Sequence, residues 1–120
     1  MEYKDRIMMK TIIVVKDFHK EPYGRYRSDA EGCERSSGQT FREEVLAPAL
    51  RENESVLVDL TGYNRYGRSF LDEAFGGLIR EEGFTGAELS SKLKYIHRDV
   101  KSIIPVIDER IDAAIRDTSS

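Results

Sequence analysis

Two short apolar runs, with amphipathic helical patterns between and after them, constrain the fold of this chain more than any other feature. Thr11 to Val15 is β-branched throughout, and Ser55 to Leu60 is apolar except for Ser55 and Asp59. Because the first run shows little alternation, it predicts a central strand or one covered on both faces. Strands that alternate with helices predict one α/β domain with a small, mixed or mostly parallel sheet packed with helices.

Amphipathic patterns predict the helices. The first is predicted over residues 39–52, where Pro48 should introduce a kink. The last three predicted elements are a short helix from Thr85 to about Leu93, a short strand from Lys94 to His97 and a final helix to Asp117. The predicted buried stripes are Phe41, Val45, Leu46, Ala49 and Leu50; Leu71, Ala74, Phe75, Leu78 and Ile79; and Ile104, Ile107, Ile111 and Ile115.

Between the first strand and the first helix, residues 17–38 carry little hydrophobic pattern. They predict a long polar loop, with a short strand near Gly24, and loops of this length often carry function. Cys33, the only cysteine, lies in this loop between Glu31 and Glu34. A reactive thiol is therefore not expected, and no internal disulfide can form.

The length of 120 residues fits one domain that buries a core without disulfides or metals. We assign residues 9–117 to this domain, residues 1–8 to an N-terminal extension and residues 118–120 to a frayed tail. The N-terminus lacks the layout of a signal peptide, and no apolar run is long enough to span a bilayer. These observations predict a cytoplasmic protein.

The charge pattern disfavours two classes of partner. The net charge is −3, and Lys and Arg are interleaved with Asp and Glu along the chain. Nucleic-acid binders usually carry a basic excess or stripe, and membrane-surface proteins a basic amphipathic face. We therefore expect neither nucleic acid nor membrane as a partner, and we expect a monomer or a weak homodimer.

The start of the second helix is the best-marked local signal. Residues 69–72 (Ser-Phe-Leu-Asp) match a capping box with Ser69 as the N-cap, and Gly83 marks the end of the helix. Ser69 is also a candidate phosphorylation site, because a phosphate there would lie at the positive end of the helix. Gly76 and Gly77 predict that a neighbour, in this chain or another, approaches the helix closely.

The loop before this helix combines aromatic and basic side chains. Tyrosine and arginine are enriched in interface hot spots, where they bury area at low entropic cost. The predicted partner-binding residues are Tyr63, Asn64, Arg65, Tyr66, Arg68, Phe70, Asp72 and Glu73.

No motif indicates catalysis. Ser69, His97 and Asp59 are the residue types of a hydrolase triad, but Ser69 lacks the Gly-x-Ser-x-Gly turn of a nucleophile elbow. Asp59 is instead expected to tie down the loop after its strand. Two distant histidines and one cysteine form no recognisable metal set, and there is no Gly-rich phosphate loop. We expect a protein that is not an enzyme and binds no cofactor.

Several motifs occur in an order that is typical of one family. They are residues 37–42 (Ser-Gly-Gln-Thr-Phe-Arg), 56–63 (Val-Leu-Val-Asp-Leu-Thr-Gly-Tyr), 69–73 (Ser-Phe-Leu-Asp-Glu) and 75–78 (Phe-Gly-Gly-Leu). In order and spacing they resemble the bacterial STAS-like domain family of unknown function, and the resemblance covers residues 9–115.

That family is named for its likeness to STAS domains, which include anti-sigma-factor antagonists. The resemblance implies a regulatory module that docks on a histidine-kinase-like ATPase and is switched by phosphorylation of a serine, which aligns with Ser69. Gly67 stands where those antagonists carry Asp, and Phe70 where they carry Gly.

Two functional hypotheses follow. The first is a small regulatory protein-interaction module. The alternative is a sensor of a small ligand or nucleotide, in which the 17–38 loop with Arg27 and Arg35 closes over an anion at a helix N-terminus. The ligand-binding residues of that alternative are Arg25, Ser37, Arg42 and Asp59.

Overall fold

A computed structural model describes residues 8–119 and contains a three-stranded, fully parallel sheet. The strands are β1 (Met9–Ile13), β2 (Ser55–Asp59) and β3 (Leu93–Ile96), in the spatial order β1-β2-β3. The predicted α/β class is confirmed. Residues 1–7 of the predicted extension and residue 120 of the predicted tail lie outside the described residues.

The described residues form four helices and two isolated helical turns. Helix α1 (residues 38–52) is continuous and consists of Gly38–Phe41, the π-helical segment Arg42–Leu46 and Ala47–Glu52. Helix α2 (residues 68–80) consists in the same way of Arg68–Leu71, the π-helical segment Asp72–Gly76 and Gly77–Arg80. Helices α3 and α4 are Gly86–Lys92 and Ile103–Thr118, and the turns are Val14–Asp17 and Cys33–Ser36. No helix in this part of the chain is long and apolar enough to cross a membrane.

The helices and the sheet form two layers around one core. Both crossovers step in the same direction across the sheet, and right-handed connections then place α1 and α2 on the same face. On β2, Val56 and Val58 are buried in the core, whereas Leu57 between them is only half-buried. Helix α4 packs against α2.

The first strand differs from its prediction in position and in placement. It ends at Ile13, because Asp17 accepts a hydrogen bond from the Ile13 N–H at 2.7 Å and closes the helical turn Val14–Asp17. It lies at an edge of the sheet, and residues 9–11 are exposed. The prediction of a central or doubly covered strand is therefore wrong.

The loop after β1 is irregular over residues 18–32, and the predicted short strand near Gly24 is wrong. The loop backbone pairs instead with the start of α1. The Gly24 carbonyl accepts from the Gly38 N–H at 2.9 Å, and the Arg25 carbonyl accepts from the Gln39 N–H at 3.0 Å. Gly24 adopts φ +95°, a conformation that glycine reaches without strain.

Cys33 lies in the core under this loop and not on a polar surface. It is buried, and its Sγ lies 3.7 Å from the Tyr23 carbonyl. A Cβ at Gly24 would approach the Cys33 Sγ to 2.6 Å, so the loop rests directly on the thiol.

Helix α1 passes Pro48 without ending. Proline cannot donate to the carbonyl of residue 44, and its ring crowds that carbonyl. The π-helical segment Arg42–Leu46 ends two residues before Pro48, and its backbone hydrogen bonds join an N–H to the carbonyl five residues earlier instead of four. The predicted distortion thus takes the form of a π-helical segment.

The glycine pair of α2 is approached closely, as predicted, and the neighbours belong to this chain. A Cβ at Gly77 would clash with the guanidinium of Arg42 on α1. A Cβ at Gly76 would lie 3.1 Å from the Arg110 carbonyl on α4.

Arg42 joins α1 to α2 in the protein interior. It is 2% exposed, and its guanidinium bonds to the Glu73 carboxylate at 2.7 Å, the Glu73 carbonyl at 2.8 Å and the Glu82 carboxylate at 2.9 Å. Burial by itself lowers the pKa of Arg42, but the hydrogen bonds to Glu73 and Glu82 outweigh it and raise the pKa.

The Asp72 carboxylate contacts three arginines, which lie in the 18–32 loop, on α2 itself and on α4. It accepts from Arg25 at 2.6 Å and Arg80 at 3.1 Å, and its other oxygen lies 3.4 Å from Arg110. Burial alone raises the pKa of Asp72, but the hydrogen bond from Arg25 and the charge of Arg80 outweigh it and lower the pKa. Arg25 thereby fastens the 18–32 loop to α2.

The buried face of α4 is rotated relative to the predicted stripe. Ile107 is buried as predicted, and Ile103 and Ala114 are buried with it. The other predicted members, Ile104, Ile111 and Ile115, are only half-buried. The periodicity identified the helix, but which of several adjacent apolar residues face the core depends on α2.

Arg42→Met is expected to lower the free energy of unfolding by about 3–5 kcal/mol, because it removes the hydrogen-bonded cation of the buried Glu73 and leaves only Arg25, at 3.6 Å, beside that carboxylate. Arg27 is a matched control, since it also bonds to two carboxylates, Glu43 and Glu44, but a third of its side chain is exposed. Arg27→Met should cost less than about 1 kcal/mol. Urea unfolding followed by circular dichroism compares them, and equal small losses would contradict a holding role for Arg42.

Candidate functional site

The segment that joins β2 to α2 is anchored at its first residue by Asp59. One Asp59 oxygen accepts from the Thr61 N–H at 3.0 Å, and the other pairs with Arg98 at 2.7 Å. The Thr61 hydroxyl accepts from the Arg98 N–H at 3.0 Å. Burial raises the pKa of Asp59, but the bonds from Thr61 and Arg98 outweigh it and lower the pKa. Asp59 thus ties down the loop, as predicted.

His97 anchors the same segment from β3. It is 3% exposed, and its Nε2 lies 2.8 Å from the Tyr63 carbonyl. Its Nδ1 accepts from the N–H groups of Asp99 at 3.1 Å and Val100 at 2.9 Å. This pattern requires a neutral ring with the proton on Nε2, which donates to Tyr63.

Two tyrosines of the segment pack edge to face above the core. The rings of Tyr63 and Tyr66 lie 5.2 Å apart, and Tyr66 also packs against Phe70 at 5.7 Å and His97 at 6.3 Å. The Tyr66 hydroxyl is buried and has no hydrogen-bond partner among residues 8–119. Burial raises the pKa of Tyr66.

Helix α2 begins at Arg68, and Ser69 is not its N-cap. The N-cap is Gly67, whose carbonyl accepts from the Leu71 N–H at 3.1 Å. In the described part of the chain, no side chain caps this helix, so the prediction of a Ser69 cap is wrong. Ser69 instead lies exposed in the first turn.

A complete capping box occurs at α3. The Thr85 hydroxyl accepts from the Glu88 N–H at 3.1 Å, and the Glu88 carboxylate accepts from the Thr85 N–H at 2.8 Å. At α2 no such box forms, because the helix begins before Ser69, at Arg68, and the Asp72 carboxylate is bonded to Arg25 and Arg80.

Three of the predicted partner-binding residues lie in the protein interior. Phe70 is 1% exposed and belongs to the core, and Asp72 and Glu73 are 7% and 6% exposed within the arginine cluster. None of them can contribute contact area to an outer surface. Their prediction as partner-binding residues is corrected. Phe70 packs in the hydrophobic core, and Arg25 and Arg42, which pair with Asp72 and Glu73, lie far away in sequence and leave no local signal.

The other predicted partner-binding residues, apart from Tyr66, are accessible and lie close together in the sequence. We call this the loop surface and define it as Tyr63, Asn64, Arg65, Gly67, Arg68 and Ser69, all exposed or half-exposed. Tyr66 lies half-buried beneath it. The loop surface keeps the tyrosine and arginine side chains on which the binding prediction depended.

Of the residues predicted for the ligand-sensing alternative, Arg25 and Arg42 line one crevice with Glu73, but Ser37 and Asp59 do not join them. Ser37 is fully buried as the N-cap of α1, where its hydroxyl accepts from the Thr40 N–H. Arg25 and Arg42 are held by carboxylates of α2, and Asp59 lies at the end of β2.

The N-terminus of α1 is also closed to an anion in this conformation. Its Gly38 and Gln39 N–H groups donate to loop carbonyls, and the Thr40 N–H donates to Ser37. Among the loop arginines, Arg27 pairs with glutamates of α1, whereas Arg35 forms no ion pair within residues 8–119.

The described residues contain no group of three or more His, Cys, Asp and Glu side chains placed to hold a metal ion. His97 donates and accepts through backbone groups, and Cys33 is buried under Gly24. The chemistry available at the loop surface is therefore that of hydrogen bonds, aromatic contacts and arginine charges.

A family model described as a STAS-like domain of unknown function (DUF4325) matches residues 37–102, more than half of the chain. The chain belongs to this family. The matched range of the STAS-like domain runs from the N-cap of α1 to the residue before α4, and it includes the loop surface. In comparisons with curated proteins and with solved structures, nothing matched the chain.

Two anchors of the loop surface in this STAS-like domain, His97 and Arg98, were missed from sequence. His97 and Arg98 bond to residues 34 to 39 positions away, so no local pattern reveals them. The available signal is indirect. Both residues follow β3 directly, and the carboxyl ends of neighbouring parallel strands meet at one edge of the sheet, where Asp59 also lies.

Tyr66→Phe is expected to raise the free energy of unfolding by about 1 kcal/mol, because it removes a buried hydroxyl that has no partner. Tyr95→Phe is the matched control, since the Tyr95 hydroxyl donates to Asp108 and its removal should cost about 1 kcal/mol. Denaturant unfolding of both variants measures the difference. A clear loss of stability in Tyr66→Phe would show that this hydroxyl is bonded in solution.

Proposed function

We propose that this STAS-like domain is a regulatory module that docks on another protein through the loop surface. The observation that supports it best is an exposed tyrosine- and arginine-bearing loop that is fixed from below by hydrogen bonds. His97 holds Tyr63, and Asp59 holds Thr61. A loop that is ordered before binding loses little conformational entropy on docking.

The surroundings of Ser69 support a binding role over a catalytic one. Both ring nitrogens of His97 are engaged by backbone groups, so the ring is not placed to take a proton from a serine. Asp59 is engaged by Arg98 and Thr61. We therefore propose that the domain acts without catalysing a reaction.

The proposed class of partner comes from the resemblance to anti-sigma-factor antagonists. Those STAS domains bind ATPases with a histidine-kinase-like fold, and their phosphorylatable serine lies in the first turn of the helix that corresponds to α2. A partner of that class would make this domain a switch component, and docking would require no change in its core.

Ser69 is the residue through which we propose that docking is controlled. It lies exposed in the first turn of α2, whose first N–H groups have no side-chain cap. A phosphate there would lie close to these donors and to the positive end of the helix. The fold should tolerate it, while about −2 of added charge would change what the loop surface attracts.

Affinity purification of the tagged full chain from its native host tests this proposal. Wild type and Ser69→Ala should retain a histidine-kinase-like ATPase in stoichiometric amount, and the unbound wild-type pool should carry phosphate on Ser69. Ser69→Glu should reduce the retained partner about tenfold or more, equivalent to about 1.4 kcal/mol. Ser90→Glu, an exposed serine on α3, is the matched control and should retain it.

Stability measurements separate this role from a structural one. Because Ser69 is not the N-cap, Ser69→Ala should change the free energy of unfolding by less than about 0.5 kcal/mol. A wild-type chain that is recovered folded, unmodified and without a protein partner would contradict the proposed function.

A further inference from the structure

A crevice of about 670 Å³ opens beside the loop surface. One wall comes from the loop after β1, including Glu21, Glu31 and Arg35, and the other from residues 62–65 with Arg65. Both loops follow the carboxyl ends of neighbouring parallel strands, which is where open α/β sheets place their binding sites.

The two arginines of the crevice differ from those that hold the fold. Arg25 and Arg42 pair with buried carboxylates of α2. Arg35 and Arg65 are exposed and form no ion pair within the described chain, residues 8–119. An arginine with a free guanidinium offers a planar set of donors that matches a carboxylate.

Both arginines project from backbone that is already fixed. Arg35 lies on the turn Cys33–Ser36, in which Cys33 is buried and the Ser36 hydroxyl donates to the Tyr23 carbonyl at 2.9 Å. Arg65 lies between Tyr63, which His97 holds, and Tyr66, which packs on the core. Little ordering is therefore needed before these side chains meet a ligand.

The local charge is opposite in sign to that of the whole chain. The lining of the crevice is neutral, with Arg35 and Arg65 against Glu21 and Glu31, and Arg68 of the adjoining loop surface makes the local net charge +1 with histidine counted as neutral. The whole chain carries −3. A phosphate on Ser69 adds about −2 and would change the local sum to about −1.

We propose that this crevice seats an acidic segment of the docking protein, with its carboxylates on Arg35 and Arg65. The inference rests on the proposed function and deepens it, because it names the chemistry of the partner. It also gives phosphorylation a physical effect. The modified serine reverses the local charge and repels the segment that the arginines attract.

A photo-crosslinking residue in place of Asn64, which lines the crevice, tests the inference in the full chain purified from its native host. The cross-linked partner peptide should contain a cluster of Asp and Glu. Arg35→Glu and Arg65→Glu should each lower the captured partner about tenfold, and Glu21→Lys should not lower it. Arg116→Glu, an exposed arginine at the end of α4, is the matched control and should leave capture unchanged. Circular dichroism confirms that each variant folds.

The outcomes separate this inference from the proposed function. A partner that is captured through a segment without acidic residues, or that ignores both arginine reversals, overturns the inference and leaves the docking function standing. A nucleic acid as the cross-linked species overturns the inference. A wild-type chain that captures no protein overturns the docking function, and the inference fails with it.

Discussion

Arg42 and Glu73 form an ion pair in the interior, and the position of α1 relative to α2 depends on this pair. Arg42 begins the π-helical segment of α1, and Glu73 lies within that of α2. A buried pair of this kind adds little net stability over apolar packing, but losing one partner is costly. It therefore specifies one arrangement of α1 against α2, and Gly77 provides the room for the guanidinium. The loop surface includes the start of α2, so its position depends on how α1 and α2 are arranged.

Two sets of arginines in this chain have different structural roles. Those around Asp72 and Glu73 are bonded to buried carboxylates and hold the 18–32 loop, α1, α2 and α4 together. Arg35 and Arg65 stand at the crevice without a carboxylate of their own chain within the described residues. These two unpaired arginines lie at the end of the sheet beside the loop that we propose binds a partner.

Much of the fold is predictable because it follows from local periodicity. The β-branched run that overlaps β1, the apolar β2 and the amphipathic helices predict an α/β layer without knowledge of distant contacts. The errors occur where distant contacts decide. Asp72 and Glu73 look like the exposed acidic first turn of a helix, but they are buried against arginines that include Arg25 and Arg42, 31 to 47 positions away. The edge position of β1 likewise depends on strand order, which local sequence does not encode.

At the candidate site, the residue types were predictable and their roles were not. The loop with Tyr63 and Arg65 could be named from composition, but its rigidity depends on His97. Ser69 was assigned a capping role because serine is a preferred N-cap, yet Gly67 takes that position. Glycine is almost as good at an N-cap, so local propensity did not decide between the two starts.

Amide hydrogen exchange of the native full chain, followed by NMR, tests most directly whether the loop surface is fixed before a partner binds. The N–H groups of Thr61, Asp99 and Val100 donate to the anchors, whereas those of Asn64 and Arg65 have no acceptor in the described chain. A fixed loop requires the first three to exchange at least about tenfold more slowly than the last two, each relative to its unstructured rate. Equally fast exchange in all five would mean that the anchors do not hold in solution, and it would contradict a preformed docking surface.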